Sequence, residues 1–206
     1  MSLCIEIGAN QGNDTQRYSE VYDQVYAFEP VKELVSNLWK KFKDKNNVII
    51  FPFAVDLTNG IKSFNISNAY DWGCSSLFEF SDNLKEDWIP NSDDWRGDFV
   101  HHYSYMVPTI NLYDFCNLYN IEKIDYLHID AQGNDLTILK SLKDKLSIIE
   151  EGQLECSCRM DLYKQTSNRV EHAIEFLTQN GFAILNAQTQ GEGNEINLSF
   201  RKIYKK

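Results

Sequence analysis

The sequence predicts a doubly wound α/β fold on a seven-stranded mixed sheet whose last strand is antiparallel, with one irregular insert. Three observations predict it. Over the first 55 residues, strand-length apolar runs alternate with apolar residues at helical spacing, which makes a parallel sheet with right-handed crossovers. The same alternation resumes at Leu112. The link Gln190–Asn194 between the last two apolar runs is too short for a crossover helix, so the last strand must run antiparallel to its neighbour.

Leu3–Ile7 is a short buried strand ending at Gly8. A helix opens after the turn, with Asp14 and Thr15 near its start. Gln24–Phe28 is the second strand, stopped by Glu29-Pro30, and Pro30 suits a helix start. Val31, Leu34, Val35, Leu38 and Phe42 then recur at helical spacing, with lysines mostly on the other face. Val48–Phe51 is the third strand. Residues 56–105 break the rhythm, although Ile61–Ile66 can form a strand that pairs with Tyr105-Met106-Val107. A loop this long in a compact domain is functional or mobile. Leu112–Cys116 is a short helix, Ile124–Ile129 the fourth strand, and Leu136–Leu142 a helix. A fifth strand begins at Ser147-Ile148-Ile149 and runs to Glu155. Val170, Ala173, Ile174 and Leu177 mark a helix that Gly181 ends, followed by strands at Phe182–Leu185 and Ile196–Phe200.

Composition bounds the function. The 206 residues suit a single domain, 1–206, and 43% hydrophobic with 24% charged residues excludes disorder as the main state. Lys plus Arg is 20 and Asp plus Glu is 30, a net charge of −10. The basic footprint of a nucleic-acid binder is missing, and an anionic membrane surface is an unsuitable partner for the same reason. No apolar run approaches the roughly 18 residues that span a bilayer, and Met1–Ile7 lacks the basic start of a signal peptide. Five scattered cysteines point to reduced thiols and a cytoplasmic location. No metal is expected. The cysteines lack finger spacing, and Asp125 and Asp130, at opposite ends of one strand, stand roughly 16 Å apart by strand rise.

The strongest local signal is Glu6-Ile7-Gly8-Ala9-Asn10-Gln11-Gly12. Gly8 permits a sharp turn, and Gly12 is expected to let a ligand approach the backbone. Glu29 closes the second strand on the same rim, about where nucleotide-binding α/β folds place the acid that accepts from ribose hydroxyls. The full G-x-G-x-x-G is not present, since positions 10 and 13 are Asn. A nucleoside therefore fits better than a pyrophosphate. Glu6, an acid inside the first strand, points the same way and suits an amino or cationic ligand. The bland reading is an ordinary turn with one solvated acid.

Ile124–Leu139, with Ile129-Asp130-Ala131-Gln132-Gly133 at its centre, resembles the signature of FkbM-type S-adenosylmethionine-dependent methyltransferases, in which a strand "lIKIDVEG" runs into a helix. Other matches fall in order. Cys4–Gly12 is similar to "DVGANxG", Tyr26–Pro30 to "vxAFEP", and Phe53-Ala54-Val55-Asp56 to "AvGd". Gly73–Leu77 is similar to "GxSSL", and Val107–Leu112 to "VpvxtLdd". Three positions depart: His128 stands for the family's Lys, Gln132 for a Glu, and Asp135 for the next Glu.

The resemblance implies a Rossmann-like methyltransferase fold, S-adenosyl-L-methionine as methyl donor, and O-methylation of a small polar acceptor such as a sugar or natural product. It implies a cofactor site at Glu6, Gly8, Asn10, Gly12, Glu29, Pro30, Ala54, Val55 and Asp130. It also puts Ser75 and Ser76 at the pocket. Asp130, at the sheet rim, and His128, on the same strand face by alternation, are the candidate bases for a hydroxyl proton. A packed core histidine is the competing reading of His128. Trp72, with Trp88 and Trp95, suits stacking on a sugar or forms the insert's own core. His101 lines the acceptor pocket or sits in a solvated loop. Helices that often precede the first strand in the family are missing here, so the insert, about residues 61–110, is expected to supply the acceptor pocket or lid. A nucleotide-dependent oxidoreductase and a non-catalytic binding module are the alternatives.

Overall fold

The computed structural model describes residues 1–67, 72–82, 84, 100–164, 166–190 and 194–204, with the backbone alone at Trp72. Trp88 and Trp95 lie outside the described residues, as does the Trp72 side chain.

The main sheet holds β1 (Leu3–Ile7), β2 (Gln24–Phe28), β3 (Val48–Phe51), β7 (Ile124–Ile129), β8 (Ile149–Ser157), β9 (Phe182–Gln190) and β10 (Glu195–Lys202). Their order is β3-β2-β1-β7-β8-β10-β9. β1 is buried at every residue and lies in the middle, parallel to β2 and to β7. β10 inserts between β8 and β9, antiparallel to both, as the short link requires. The expected seven-stranded mixed sheet is therefore the observed one.

Helices cover both faces. α3 (Leu112–Leu118), α4 (Asp135–Ser141) and α5 (Val170–Gln179) bury Phe115, Leu136, Leu139 and Leu177 in one large cluster with Ile5, Phe28, Leu127 and Ile129. On the other face, α2 (Lys32–Lys41) packs Val35 and Leu38 on Ala27 and Ile50. α1 (Asn13–Val21) meets that face through Tyr18, whose ring lies against Tyr126 and His128. The period of two explains the split: Leu127 and Ile129 enter the large cluster, and the residues beside them face α1.

The described part of the insert is less irregular than its sequence. β5 (Gly60–Ile66) and β6 (Tyr103–Ile110) pair antiparallel, with Phe64 opposite Tyr105 and Lys62 opposite Val107, as expected. β4 (Ala54–Val55), which carries no strand signal, adds in parallel to β6. This small sheet packs Phe64, Ile66 and Val107 on Val31 and Leu34 of the α2 start. Two smaller expectations are corrected. Ser147 and Ile148 end a 3-10 turn that buries Leu146, so β8 begins at Ile149. Pro30 stands before the N-cap Val31 rather than in the first turn of α2.

Candidate functional site

The carboxyl ends of β1, β2 and β7 meet at one rim. Gly8 leaves β1 with φ of 89°, and its N–H and that of Ala9 both donate to the Phe28 carbonyl at 3.0 Å. The Asp130 N–H donates to the Ile7 carbonyl at 2.9 Å. The chain crosses so closely that a Cβ on Gly8 would lie 1.9 Å from the Asp130 carbonyl oxygen. Asn10, with φ of 48°, donates its N–H to Glu29 Oε2 at 2.7 Å, and the Val31 N–H donates to Glu29 Oε1 at 2.8 Å. Each carboxylate oxygen of Glu29 keeps a lone pair for a further donor.

A cavity of about 370 Å³ opens along this rim, within the usual range for small-molecule sites. Gly8, Asn10, Glu29 and Pro30 line it, with Ala54, Val55 and Ser75 from the insert side. Asp130, Gln132, Glu155 and Glu195 make up its acidic part. Among its described lining residues there is no Lys, Arg or His, against four carboxyls. Two buried amide oxygens, Asn10 Oδ1 and Asn134 Oδ1, have no hydrogen-bond partner, and both residues line the cavity. Unpaired buried acceptors are costly, so the cavity calls for ligand donors, not ligand anions.

The acidic part is organised by Gln132. Its Nε2 donates to Asp130 Oδ1 at 2.8 Å and to Glu155 Oε2 at 2.9 Å. The Tyr163 hydroxyl lies 2.8 Å from Gln132 Oε1 and fixes the amide orientation. An acid at position 132, as in the family signature, would set a third carboxylate against these two. The amide bridges them instead. Glu155, Glu195 and Tyr163 carry no local motif. The β7–β8 register supplies the signal for Glu155: Ile129, the last residue of β7, stands opposite Leu154, so Asp130 leaves β7 beside Glu155, which stays in β8 opposite Asn197.

Several sequence candidates stand elsewhere. His128 does not line the cavity. It points to α1, with its ring 5.7 Å from that of Tyr18. Alternation does not link it to Asp130 because β7 ends at Ile129 and the chain turns there. Glu6 is also on the α1 side, accepting from the Thr15 hydroxyl at 2.5 Å. Gly12 is the left-handed N-cap of α1, and a Cβ there would lie 2.5 Å from Leu38 Cδ2. Its lack of a side chain serves the packing of α2, not ligand approach. Ser76 is fully buried and donates to the Gln132 carbonyl at 2.7 Å. His101 stacks on Phe80 at 4.1 Å, outside the cavity lining. Asp135 is buried beneath the rim, accepting from the Ala131 N–H at 3.2 Å and the Asn168 amide at 3.2 Å.

Residues 6–184 match the family described as the methyltransferase FkbM domain. The chain belongs to that family. This FkbM-family chain is 25% identical over 153 residues to the 2-O-methyltransferase NoeI of Sinorhizobium fredii (strain NBRC 101917 / NGR234), covering 70% of itself and 59% of NoeI. It thus spans less than two thirds of the curated relative it matches. Its fold is similar to that of SMU.1697c from Streptococcus mutans, solved in complex with SAH, at TM-score 0.54 and 14% identity, over 98% of this chain and 89% of that one. An rRNA methylase from Streptococcus thermophilus matches at TM-score 0.52 and 13% identity, over 98% and 87%. Aeropyrum pernix fibrillarin with natively bound S-adenosyl-L-methionine matches at TM-score 0.52 and 9% identity, over 97% and 65%. At these identities the likeness is one of fold.

Burial raises two acids of the FkbM-family rim, Glu29 and Glu155. Glu29 is pushed up to about 7 by desolvation, with the Val31 and Asn10 N–H groups holding it back. Desolvation, then the Asp130 charge, lifts Glu155 well above the usual carboxylate range. A carboxyl whose pKa is higher folded than unfolded stabilises below the unfolded value and loses that contribution as pH rises through the folded one. Thermal unfolding of the ligand-free protein in metal-free buffer should therefore fall between pH 5.5 and pH 8.5. Glu29 alone accounts for about 2 kcal/mol of the loss over this range. Glu29→Gln should flatten the curve; a melting temperature that holds or rises over this range would contradict the assignment.

Proposed function

We propose that this chain transfers the methyl group of S-adenosyl-L-methionine to a hydroxyl of a small neutral polar acceptor, such as a sugar or natural product. Family membership supports methyl transfer, and the resemblance to the 2-O-methyltransferase NoeI supports oxygen as the acceptor atom. The observation that carries the reading is the cavity: ribose-type acceptors at Glu29, orphaned amide oxygens, and a carboxyl wall without a facing cation.

The residues suit the donor. Glu29 offers its spare lone pairs to ribose hydroxyls, and Asn10 and Asn134 offer acceptors to ligand N–H or O–H donors. When bound, the donor supplies a methyl group on a cationic sulfonium, which a wall of carboxyls stabilises. Asp130 receives the acceptor proton at the oxygen that Gln132 does not hold, and Gln132 keeps Glu155 from repelling it. His128, set toward α1, drops out as a base. The same wall repels phosphates, which supports a small acceptor over a nucleic acid. Residues of about 61–110 then act as acceptor wall, with the Tyr105 hydroxyl fastening β6 to the Lys32 N–H at 2.9 Å and to the Pro30 carbonyl at 3.3 Å. Five free cysteines support a cytoplasmic setting, and among the described residues no helix is long and apolar enough to cross a membrane.

The test compares S-adenosylhomocysteine with NAD by thermal shift, then follows labelled methyl transfer to neutral sugars, polyols, amines and RNA. Stabilisation by S-adenosylhomocysteine alone, and transfer to a neutral hydroxyl compound, is expected. Asp130→Asn should keep S-adenosylhomocysteine binding within about threefold and lower transfer about 100-fold or more. Binding of NAD, transfer to RNA, or binding without turnover across the panel would overturn the reading.

A further inference from the structure

A second group of side chains lies on the far side of the Gly8–Gly12 turn, outside the cavity. Glu6 of β1 stands opposite His128 of β7 in the parallel register, and both point toward α1. Asp14 comes to the same spot from the first turn of α1. One oxygen of Glu6, one of Asp14 and one ring nitrogen of His128 all lie within 4.8 Å of one another. Glu6 is 1% exposed and His128 7%.

Two features mark this as more than a patch of acids. His128 Nδ1 is buried and has no hydrogen-bond partner. A buried imidazole nitrogen left unpaired is costly unless something fills the place opposite it. Glu6 is also held in place: Thr15 donates its hydroxyl to Oε2 at 2.5 Å. Buried carboxylates are paired with cations or stay protonated. The described groups around Glu6 offer no buried cation. Arg17 is paired with Asp14 at the surface, with 74% of its side chain exposed, and such exposed pairs are easily given up.

We propose that Glu6, Asp14 and His128 bind one divalent transition-metal ion, with Zn²⁺ the best match. Two carboxylate oxygens and one imidazole nitrogen make a ligand set that Zn²⁺ takes readily, whereas Mg²⁺ and Ca²⁺ prefer oxygen alone. Half-exposed Asp14 leaves a fourth position open to water. The ion ties the start of α1 to β1 and β7 beneath the Gly8–Gly12 turn. Its role is therefore to hold the turn that carries Gly8 and Asn10, and it takes no part in methyl transfer. The site is independent of the acceptor and donor assigned to the cavity.

The full chain, stripped with a chelator, is titrated with ZnCl₂ and with MgCl₂ by calorimetry, and its melting temperature is followed alongside. One equivalent of Zn²⁺ should bind, raise the melting temperature, and outcompete Mg²⁺ at least tenfold. Cobalt(II) should give the visible absorption of a low-coordinate site with a nitrogen ligand. Asp14→Asn, a change at a half-exposed position, should fold and weaken Zn²⁺ at least tenfold, and His128→Gln should abolish the cobalt spectrum. S-adenosylhomocysteine binding by the metal-free protein reads the cavity separately. The proposal is overturned if Zn²⁺ does not saturate at one equivalent, or if Asp14→Asn binds it as tightly as the parent.

Discussion

Gly8→Ala should destabilise the protein by about 2–5 kcal/mol, and Gly8→Val should leave no measurable S-adenosylhomocysteine binding. Two costs add. A left-handed φ with a Cβ costs about 1–2 kcal/mol, and overpacking a close-packed contact about 1–3 kcal/mol. The contact here is unforgiving because the nearest atoms are backbone: the Asp130 carbonyl oxygen at 1.9 Å and its carbon at 2.9 Å. Relief requires β1 to move from β7, which breaks the Asp130–Ile7 hydrogen bond and shifts Asn10 and Asp130 together. Gly181→Ala is the control. That glycine has φ of 83° but nothing within 4 Å of a built Cβ, so only the strain term applies. Denaturant melts of the three proteins separate the terms. Equal losses at positions 8 and 181, or a Gly8→Val protein that binds like the parent, would remove the turn from the site.

The frame of this site could be read in the sequence because its signals are local. A mostly apolar run, a glycine at the turn and an acid closing the next strand are each set by a few neighbouring residues, and β1, Gly8 and Glu29 meet as expected. The small sheet was only half legible. The first four residues of β5 are exposed, so period-two burial survives only at Phe64 and Ile66, and β4 is two residues long. The acidic wall was harder still. The Asp130–Gln132 turn, Glu155, Tyr163 and Glu195 come from separate stretches, and the strand registers and the Tyr163 hydroxyl bring them together. His128 shows where alternation stops being a guide: it holds within a strand and fails one residue past its end.

That contrast bears on the departures from the family signature. Gln132 replaces an acid, and its Nε2 bonds both Asp130 and Glu155. Asp135, one methylene shorter than Glu, reaches the Ala131 N–H and the Asn168 amide from a fully buried position and braces the rim turn from below. Two substitutions that look like lost catalytic groups are thus accounted for by hydrogen bonds around the carboxyl wall.

The largest effect on affinity alone should come from Glu29→Gln. Both oxygens of Glu29 already accept a backbone N–H, from Asn10 and from Val31, so the carboxylate is held without freedom to rotate. Two ribose hydroxyls donating to the remaining lone pairs would make charge-assisted bonds worth about 1.5–3 kcal/mol each. A glutamine removes the charge and turns an NH₂ toward one of the two N–H groups, so a backbone donor is lost along with the ligand contacts. S-adenosylhomocysteine should bind about 100-fold more weakly or worse at pH 8, since each 1.4 kcal/mol is tenfold. The same residue gives the parent protein its own pH dependence. With its carboxyl pushed up to about 7, Glu29 must give up a proton before it can accept from both hydroxyls. Affinity of the parent should therefore fall about 30-fold from pH 8 to pH 5.5, while that of Glu29→Gln stays flat. Circular dichroism of the variant confirms that the fold survives. Calorimetry at the two pH values decides the matter: a variant within threefold of the parent at pH 8, or a parent indifferent to pH, would mean that the nucleoside does not sit at Glu29.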